Sequence, residues 1–446
     1  MTAKRASVCS NSASLIRRLL SASTVATVTV TVTLSAGCGN AERDAGGGEA
    51  NVTGVRDSAG VRIVESTSPR WTENDSWQVN REPVVDIGAA NDDSAPVLAR
   101  VGGIVPLAAG QVAVVNGSDR QVLVFDSTGQ LVRRVGRRGE GPGELSRPTD
   151  AMLCGADSLL VNDVARVTLF DVSGAHQREW PLVPSPSDGA VRLAGVAPDC
   201  GAFLLYARPE RLPAPNEIGV APATLFWASA PDAARDTLGT FDARRTVRRT
   251  LGSGGDQAVS VPWTGETRWV AAGGLAYVAL GSSPEVRVYD RAAKLTAVIR
   301  WRPLPTSVSD ADRSAYDKRR ANALKLAPVM AQILPELREF PVNATSRPAH
   351  LGILVDDSAR IWVRDYPNWI AGRPDLFDRD MPLYNPDDEP PVGEAWQVFD
   401  RDGGWLGPVQ LPARLTVRAV AHNRVYGVWR DDDGAEHVRV YAITSR

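Results

Sequence analysis

Residues 111–145 read QVAVVNGSDRQVLVFDSTGQLVRRVGRRGEGPGEL. Val112 to Val115 and Val122 to Phe125 are short β-branched and aromatic runs, split by Asn116-Gly117-Ser118-Asp119, which is the pattern of a hairpin. Asp126-Ser127-Thr128-Gly129 makes a second turn, since Asp caps its own backbone and Gly takes positive φ without steric cost. Leu131 to Val135 supplies a third strand, and the glycine-rich Gly136 to Leu145 turns the corner after it. Such a meander cannot bury both faces alone; stacked on copies of itself, it can.

Copies follow. Val167-Thr168-Leu169-Phe170-Asp171 with Ser173-Gly174 repeats the middle strand and turn, and Thr224-Leu225-Phe226-Trp227 is a weaker version. Val286-Arg287-Val288-Tyr289 recurs as Val438-Arg439-Val440-Tyr441, and Gln397-Val398-Phe399-Asp400 runs into Asp402-Gly403-Gly404. Phe125, Phe170, Phe226, Tyr289, Phe399 and Tyr441 thus mark six units. Apart from one wider gap they recur at roughly 40–60 residues, the spacing of four-stranded propeller blades. The expected fold is all-β: a six-bladed β-propeller of four-stranded antiparallel blades over residues 57–446.

The last blade, ending at Val438 to Ile443, has only three strands of its own, so N-terminal strands at Gly60 to Glu65, Trp77 to Asn80 and Val84 to Ile87 are expected to close the ring. Arg244 to Trp263 reads as a basic, then glycine-rich connector. Ser309 to Phe340 breaks the strand pattern: Ser309 with Asp312 fits a capping box, and Tyr316 to Leu326 has helical spacing. A helical insertion at 309–340 and a Pro/Asp-rich insertion at 368–391 are therefore expected.

The formal charge of −2 and pI ≈ 6.2 give no broad electrostatic reason to expect nucleic acid as a partner. Lys4, Arg5, Arg17 and Arg18 precede an uncharged stretch from Ser21 to Leu34, and Leu34-Ser35-Ala36-Gly37-Cys38 follows. This describes an export signal over residues 1–37. Small residues immediately before a cysteine resemble the lipobox of bacterial lipoproteins, which implies cleavage before Cys38 and its acylation. Residues 38–56, with Gly46-Gly47-Gly48, read as a flexible tether. The protein is expected in the bacterial cell envelope, lipid-anchored to a membrane, facing the periplasm or exterior, and monomeric.

Cys154-Gly155 and Cys200-Gly201 stand at the same place in adjacent units, each just before a strand. A disulfide between Cys154 and Cys200 fits an export compartment; two small buried thiols are the other reading.

Gly136-Arg137-Arg138-Gly139-Glu140-Gly141-Pro142-Gly143-Glu144-Leu145, then Pro148, is similar to the signature of six-bladed β-propeller lipoproteins related to the NHL-repeat group. Asp57 to Val64 and the stretch from Arg347-Pro348 to Val363 resemble other parts of the same proteins. The resemblance implies fold and location; most of its members have no assigned activity. Related propellers also include lactonases and lyases working at an axial metal, which makes a propeller enzyme the alternative expectation.

Chemistry is confined to a few candidates. Ser146-Arg147-Pro148-Thr149-Asp150 matches Ser346-Arg347-Pro348-Ala349-His350, each before an innermost strand, three blades apart in a ring of six. Arg147 and Arg347 would face each other across the mouth of the central channel, with Asp150 and His350 a little deeper. They would grip an anionic or polar ligand with two guanidinium forks. The bland alternative is that each arginine buttresses the next blade. An envelope protein is the other expected partner class. The histidines, His176, His350, His422 and His437, show no zinc spacing, and no cofactor is expected. Asp431-Asp432-Asp433 and Asp387-Asp388-Glu389 are the calcium candidates, although acidic turns are usually only solvated.

Overall fold

The computed structural model describes residues 53–72, 74–88, 96–182, 189–209, 213–214, 217–250, 256–302, 307–326, 344–370, 372, 378–381 and 389–445. The expected signal at 1–37, Cys38, most of the tether, residues 327–340 and most of 368–391 lie outside these.

Four short strands come first: β1 (Thr53–Ser58), β2 (Val61–Ser66), β3 (Trp77–Val79) and β4 (Val85–Ile87). The first full sheet is β5 (Val101–Pro106), β6 (Val112–Asn116), β7 (Gln121–Phe125) and β8 (Leu131–Val135), antiparallel in that order. Two-residue strands β9 (Arg137–Arg138) and β10 (Glu144–Leu145) pair in parallel across the glycine-rich corner. The second sheet is β11 (Asp150–Leu153), β12 (Ser158–Asn162), β13 (Arg166–Asp171) and β14 (His176–Pro181). The third holds β15 (Ala190–Val196), β16 (Phe203–Arg208), β17 (Ile218–Ala228), β18 (Arg235–Thr250) and β19 (Asp256–Ser260). The fourth is β20 (Arg268–Ala272), β21 (Leu275–Ala279), β22 (Glu285–Tyr289) and β23 (Leu295–Trp301). After helix α1 (Asp310–Leu326) comes the fifth, β24 (Gly352–Val355), β25 (Ile361–Arg364), β26 (Ala395–Phe399) and β27 (Trp405–Gln410). The sixth is β28 (Leu415–Ala421), β29 (Arg424–Arg430) and β30 (Glu436–Ser445).

β3 and β4 both pair antiparallel with β30, so the N-terminal segment supplies the missing outer strand of the sixth sheet. The earlier strand does not join them. β2 lies parallel to β23 on the outside of the fourth sheet, with β1 beyond it, and β1 begins inside the stretch read as tether. Between β2 and β3 the chain hydrogen-bonds β27 through Arg70 N–H to Trp405 O and Trp71 N–H to Leu406 O. The N-terminal segment is thus a belt across the outer edges of sheets four, five and six. A second correction concerns the connector expected at Arg244 to Trp263. Most of it, residues 244–250 and 256–260, belongs to β18 and β19, which extend the third sheet to five strands, because Ala243 and Val247 are buried despite the arginines around them.

Core side chains fall into clusters that each join two neighbouring sheets. Val105, Ala113, Val124, Leu159 and Phe170 join sheets one and two, and Leu160, Trp180, Phe203 and Phe226 join two and three. Further clusters join three to four, four to five and five to six. The last joins the sixth sheet to the first, through Tyr426, Val428, Val438 and Val440 against Ile104, Val114, Leu123 and Phe125. Innermost strands β5, β11, β15, β20, β24 and β28 touch in the same cyclic order. Small residues permit that approach: a Cβ on Gly103 would overlap Asp150, and one on Gly195 would overlap Ala271.

The glycine-rich corner is held by Glu144, which accepts Gly141 N–H at 2.8 Å and pairs with Arg137 at 2.9 Å. Those two partners hold its carboxyl below the usual range. A side chain on Gly139, at φ 157, would overlap that carboxylate and displace it from the loop. Buried Asp163 caps the next turn, accepting the N–H groups of Ser146 and Arg147.

One turn recurs around the molecule. Asp126, Asp171, Asp290, Asp400 and Asp431 each accept, through the side chain, the N–H of the residue four further on. In each, the backbone N–H three residues on donates to the same Asp carbonyl. That residue has positive φ: Gly129, Gly174, Gly403 and Gly434, but Ala293 in the fourth sheet, at φ 58. Left-handed backbone costs an L-residue about 1 kcal/mol or more. Ala293→Gly is therefore expected to raise unfolding free energy by about 0.5–1 kcal/mol in urea titration, and Gly403→Ala to lower it.

Candidate functional site

β20, β24 and β28 begin on one rim of the molecule, and their first residues line a cavity of ≈ 470 Å³. The ends of neighbouring strands bring charge to it: Arg208 closes β16, Arg244 lies on β18, and Arg364 closes β25. Charged residues concentrate there because strand ends are where a sheet stops being covered on both faces.

One wall is neutralised. Arg364 Nη1 and Nη2 donate to Asp378 at 2.7 and 2.8 Å, and Nε donates to Glu394 at 2.7 Å. Burial alone would raise the Asp378 carboxyl, but the Arg364 charge and its hydrogen bonds bring it down to about 2. Behind them Arg379, 1 % exposed, donates to Glu394 at 2.7 Å, to Leu415 O at 2.6 Å and to Glu389. Arg418 pairs with Asp380 at 2.6 Å, and Arg430 reaches the same carboxylate at 2.9 Å. This lattice fastens residues 378–380 and 389 of the Pro/Asp-rich insertion to sheets five and six.

The opposite wall is not. Arg268 pairs with Glu266 at 2.9 Å, but among the described residues neither Arg208 nor Arg244 has a carboxylate partner. Arg208 instead lies over the rings of Tyr206 and Trp269, at 5.2 and 5.4 Å. Burial lowers its pKa, and the Arg244 and Arg268 charges lower it further against the opposing pull of Tyr206 and Glu266.

None of the four residues expected at the mouth lines this cavity. Arg347 donates to Asp312 at 2.6 Å, tying helix α1 to the strand that follows. Ser309 and Asp312 form the expected capping box, with Asp312 N–H to Ser309 Oγ at 3.2 Å and Ser309 N–H to Asp312 at 2.7 Å. Arg147 is exposed and forms no ion pair among the described residues. Asp150 accepts Ala151 N–H at 2.8 Å and lies against Gly103; burial raises its pKa, offset by that hydrogen bond and by Arg418. His350 is 1 % exposed and its Nε2–H donates to Leu280 O at 2.8 Å. Burial, with the Arg268 charge, lowers its pKa to about 4 although that hydrogen bond opposes the shift.

Cys154 and Cys200 form a disulfide with Cα atoms 5.0 Å apart. Asp431 spends its Oδ1 on the N–H groups of Asp433 and Ala435, and Glu389 faces Arg379 and the Arg414 N–H. Asp387 and Asp388 lie outside the described residues. Among the described residues no three His, Cys, Asp or Glu side chains converge as metal ligands, and no helix is long and apolar enough to cross a membrane. Arg208, Arg244, Arg268 and Arg379 were not singled out from the sequence. The usable signal was an arginine at the end of a strand, as in Tyr206-Ala207-Arg208 and Arg268-Trp269.

Removing Arg379 leaves Glu389 and Glu394 buried without it, so Arg379→Met is expected to cost about 3 kcal/mol or more of stability. Chemical denaturation at neutral pH measures this. Asp365, hydrogen-bonded by Gln397 Nε2 at 2.6 Å, gives a pH test. Burial, aided by the Glu394 charge, raises its pKa to about 7 despite the Gln397 bond. Between its ordinary value and about 7, the folded state holds a proton that the unfolded chain has lost. Its contribution to stability therefore falls as pH rises through that window and is flat above it. His350, with its lowered pKa, has the opposite slope and cancels when Asp365→Asn is compared with the parent. The variant is expected to gain relative stability between pH 4 and 7 and no further above; a constant difference in urea titrations would contradict this.

Residues 99–182, spanning β5 to β14, match the DUF5128 family, described as a 6-bladed beta-propeller. Among solved structures, a DUF4221-family member from Bacteroides vulgatus is 12% identical, with a TM-score of 0.48 over 84% of this chain and 100% of that one. A protein of Bacteroides fragilis described as exported is 10% identical, TM-score 0.44, covering 86% and 99%. A gluconolactonase from Xanthomonas campestris is 14% identical, TM-score 0.36, covering 78% and 87%. No curated protein matches the chain by sequence. With six sheets joined in cyclic order and the family match across the first two, the chain is a six-bladed β-propeller protein.

Proposed function

We propose that the protein is an extracytoplasmic binding module, held at a membrane through Cys38, that takes a small anionic ligand at the rim cavity. The observation that carries the ligand site is the pair Arg208 and Arg244, which line the same cavity and form no ion pair among the described residues. Like charges so placed repel, and an incoming anion relieves both at once. A cavity of ≈ 470 Å³ is of small-molecule size. The Cys154–Cys200 disulfide supports an oxidising compartment, in keeping with the export signal read at 1–37.

Binding by isothermal titration against a panel of carboxylates and phosphates tests the site. Each of Arg208→Gln and Arg244→Gln is expected to weaken anion binding by about tenfold or more, the worth of a charge-assisted hydrogen bond. Arg147→Gln and Arg347→Gln are the comparison. Loss in those two with Arg208→Gln unaffected would move the site to the facing pair first expected from the sequence. No binding of any anion would end the proposal.

A further inference from the structure

The two rims of the molecule differ. In the fourth sheet Arg268 is opposite Ala279, and at the same end of the sheet Trp301 runs level with Ser66, itself opposite Thr53. The chain therefore enters the fold at the rim that holds the cavity. The long excursions attach there too. β16 stops pairing with β17 at Ala207 and Thr224, but β17 and β18 run on together to Ile218 and Val247, and β19 joins them in a three-stranded arm. Helix α1, between β23 and β24, packs at the root of this arm. Its Tyr316 ring lies 5.4 Å from that of Trp263, and Val261 N–H donates to Arg245 O at 3.1 Å. Four of the five Asp turns, at Asp126, Asp171, Asp290 and Asp400, occupy the opposite rim.

Surface chemistry follows this division. Of the eight large apolar side chains exposed among the described residues, five lie on the cavity's rim: Val97 ahead of β5, Ile218 and Val220 on the arm, Met381, and Val392 ahead of β26. Ile218 and Val220, 54 % and 42 % exposed, are two apart on one strand and share a face, with exposed Arg245 opposite Val220. Positive charge gathers in the same elements. Residues 244–250 hold Arg244, Arg245, Arg248 and Arg249 with no acidic residue. Residues 313–326 of α1 hold five basic residues against Asp317 alone, in a chain of net charge −2.

Exposed aliphatic residues scattered singly need no explanation. Gathered on one rim beside cations, they have the composition of a surface that enters a lipid headgroup layer, apolar groups at the acyl boundary and basic groups at the phosphates. The path of the chain agrees. Cys38 precedes Thr53 by fifteen residues, a reach of about 50 Å at most, so an anchor there holds this rim near the bilayer.

We infer that this rim docks on a bilayer containing anionic lipid, with Ile218 and Val220 at the acyl boundary and Arg245 and Lys318 against lipid phosphates. The path argument rests on the Cys38 anchor proposed above; the chemistry of the arm does not.

Vesicle co-sedimentation of the full chain carrying Cys38→Ser, which has no acyl chain to contribute, tests this. Mixed phosphatidylglycerol and phosphatidylcholine vesicles are expected to bind about tenfold tighter or more than phosphatidylcholine alone. Arg245→Gln with Lys318→Gln should weaken that binding by about tenfold or more, and Ile218→Asn with Val220→Asn by about tenfold. All four side chains are exposed, which spares the fold. Val132→Asn, at an exposed position on the opposite rim, should change nothing. No binding to either vesicle, the result a protein partner would give, would overturn the inference. Equal binding to both vesicles, or binding that the rim variants leave unchanged, would overturn it too. The intact mass of the parent chain extracted from membranes reports Cys38 acylation separately. Acylation with silent rim variants removes the docking and keeps the anchor, whereas rim-dependent binding without acylation keeps the docking and removes the anchor.

Discussion

Every sheet in this molecule has two apolar faces, and neither can stay dry without a neighbour. β6 shows the constraint at single-residue resolution. Val112 and Val114 belong to the core shared with the sixth sheet, while Ala113 and Val115 belong to the core shared with the second. β7 does the same, with Leu123 and Phe125 on one side and Val122 and Val124 on the other. Because side chains alternate across a strand, a one-residue slip would exchange the two cores and mismatch both. The recurring Asp turn guards against that slip: its two bonds set where the outer hairpin begins in five of the six sheets, so register is fixed locally there before packing acts on it.

The same constraint decides where function can be placed. The flat sides of the sheets are consumed by packing, and inner strands approach so closely that Gly103 and Gly195 have no room for a side chain. What remains for recognition is the rim, where strands end and insertions attach. Arg379 and Arg364 illustrate how the rim is made rigid. Each is buried against two carboxylates, an arrangement that does little for net stability over an apolar substitute but is costly to break on one side.

Much of this was legible in the sequence because it is local. β-branched alternation located the strands, Asp-x-x-Gly located the turns, Ser309 and Asp312 located the helix start, and the equivalent positions of Cys154 and Cys200 brought the disulfide into view. What was not legible depends on which strand lies beside which. Parallel pairing of β2 with β23 joins residues more than two hundred positions apart and leaves no turn to read. The arginines of β18 disguised a strand as a connector, because long polar side chains at its exposed positions hid Ala243 and Val247. The Ser-Arg-Pro match at Arg147 and Arg347 was real as a sequence repeat. Yet the carboxylates that receive these segments, Asp163 through backbone N–H groups and Asp312 through the guanidinium, lie in different elements and give the two arginines different surroundings. Arg208, Arg244 and Arg268 come together only through the order of sheets three and four.

The unpaired arginines are informative because the chain is not short of acid. Asp and Glu number 52 against 50 Lys and Arg. Around the same cavity Arg268, Arg364 and Arg418 each have a carboxylate within 2.9 Å. A sequence selected only for stability would place one more near Arg208, whose pKa is depressed by burial and by its cationic neighbours. Leaving that position open carries an electrostatic cost in the free protein, and an anion in the cavity removes it. Strain of this kind beside a cavity whose other arginines, Arg268, Arg364 and Arg418, are paired is what a binding site looks like before its ligand arrives.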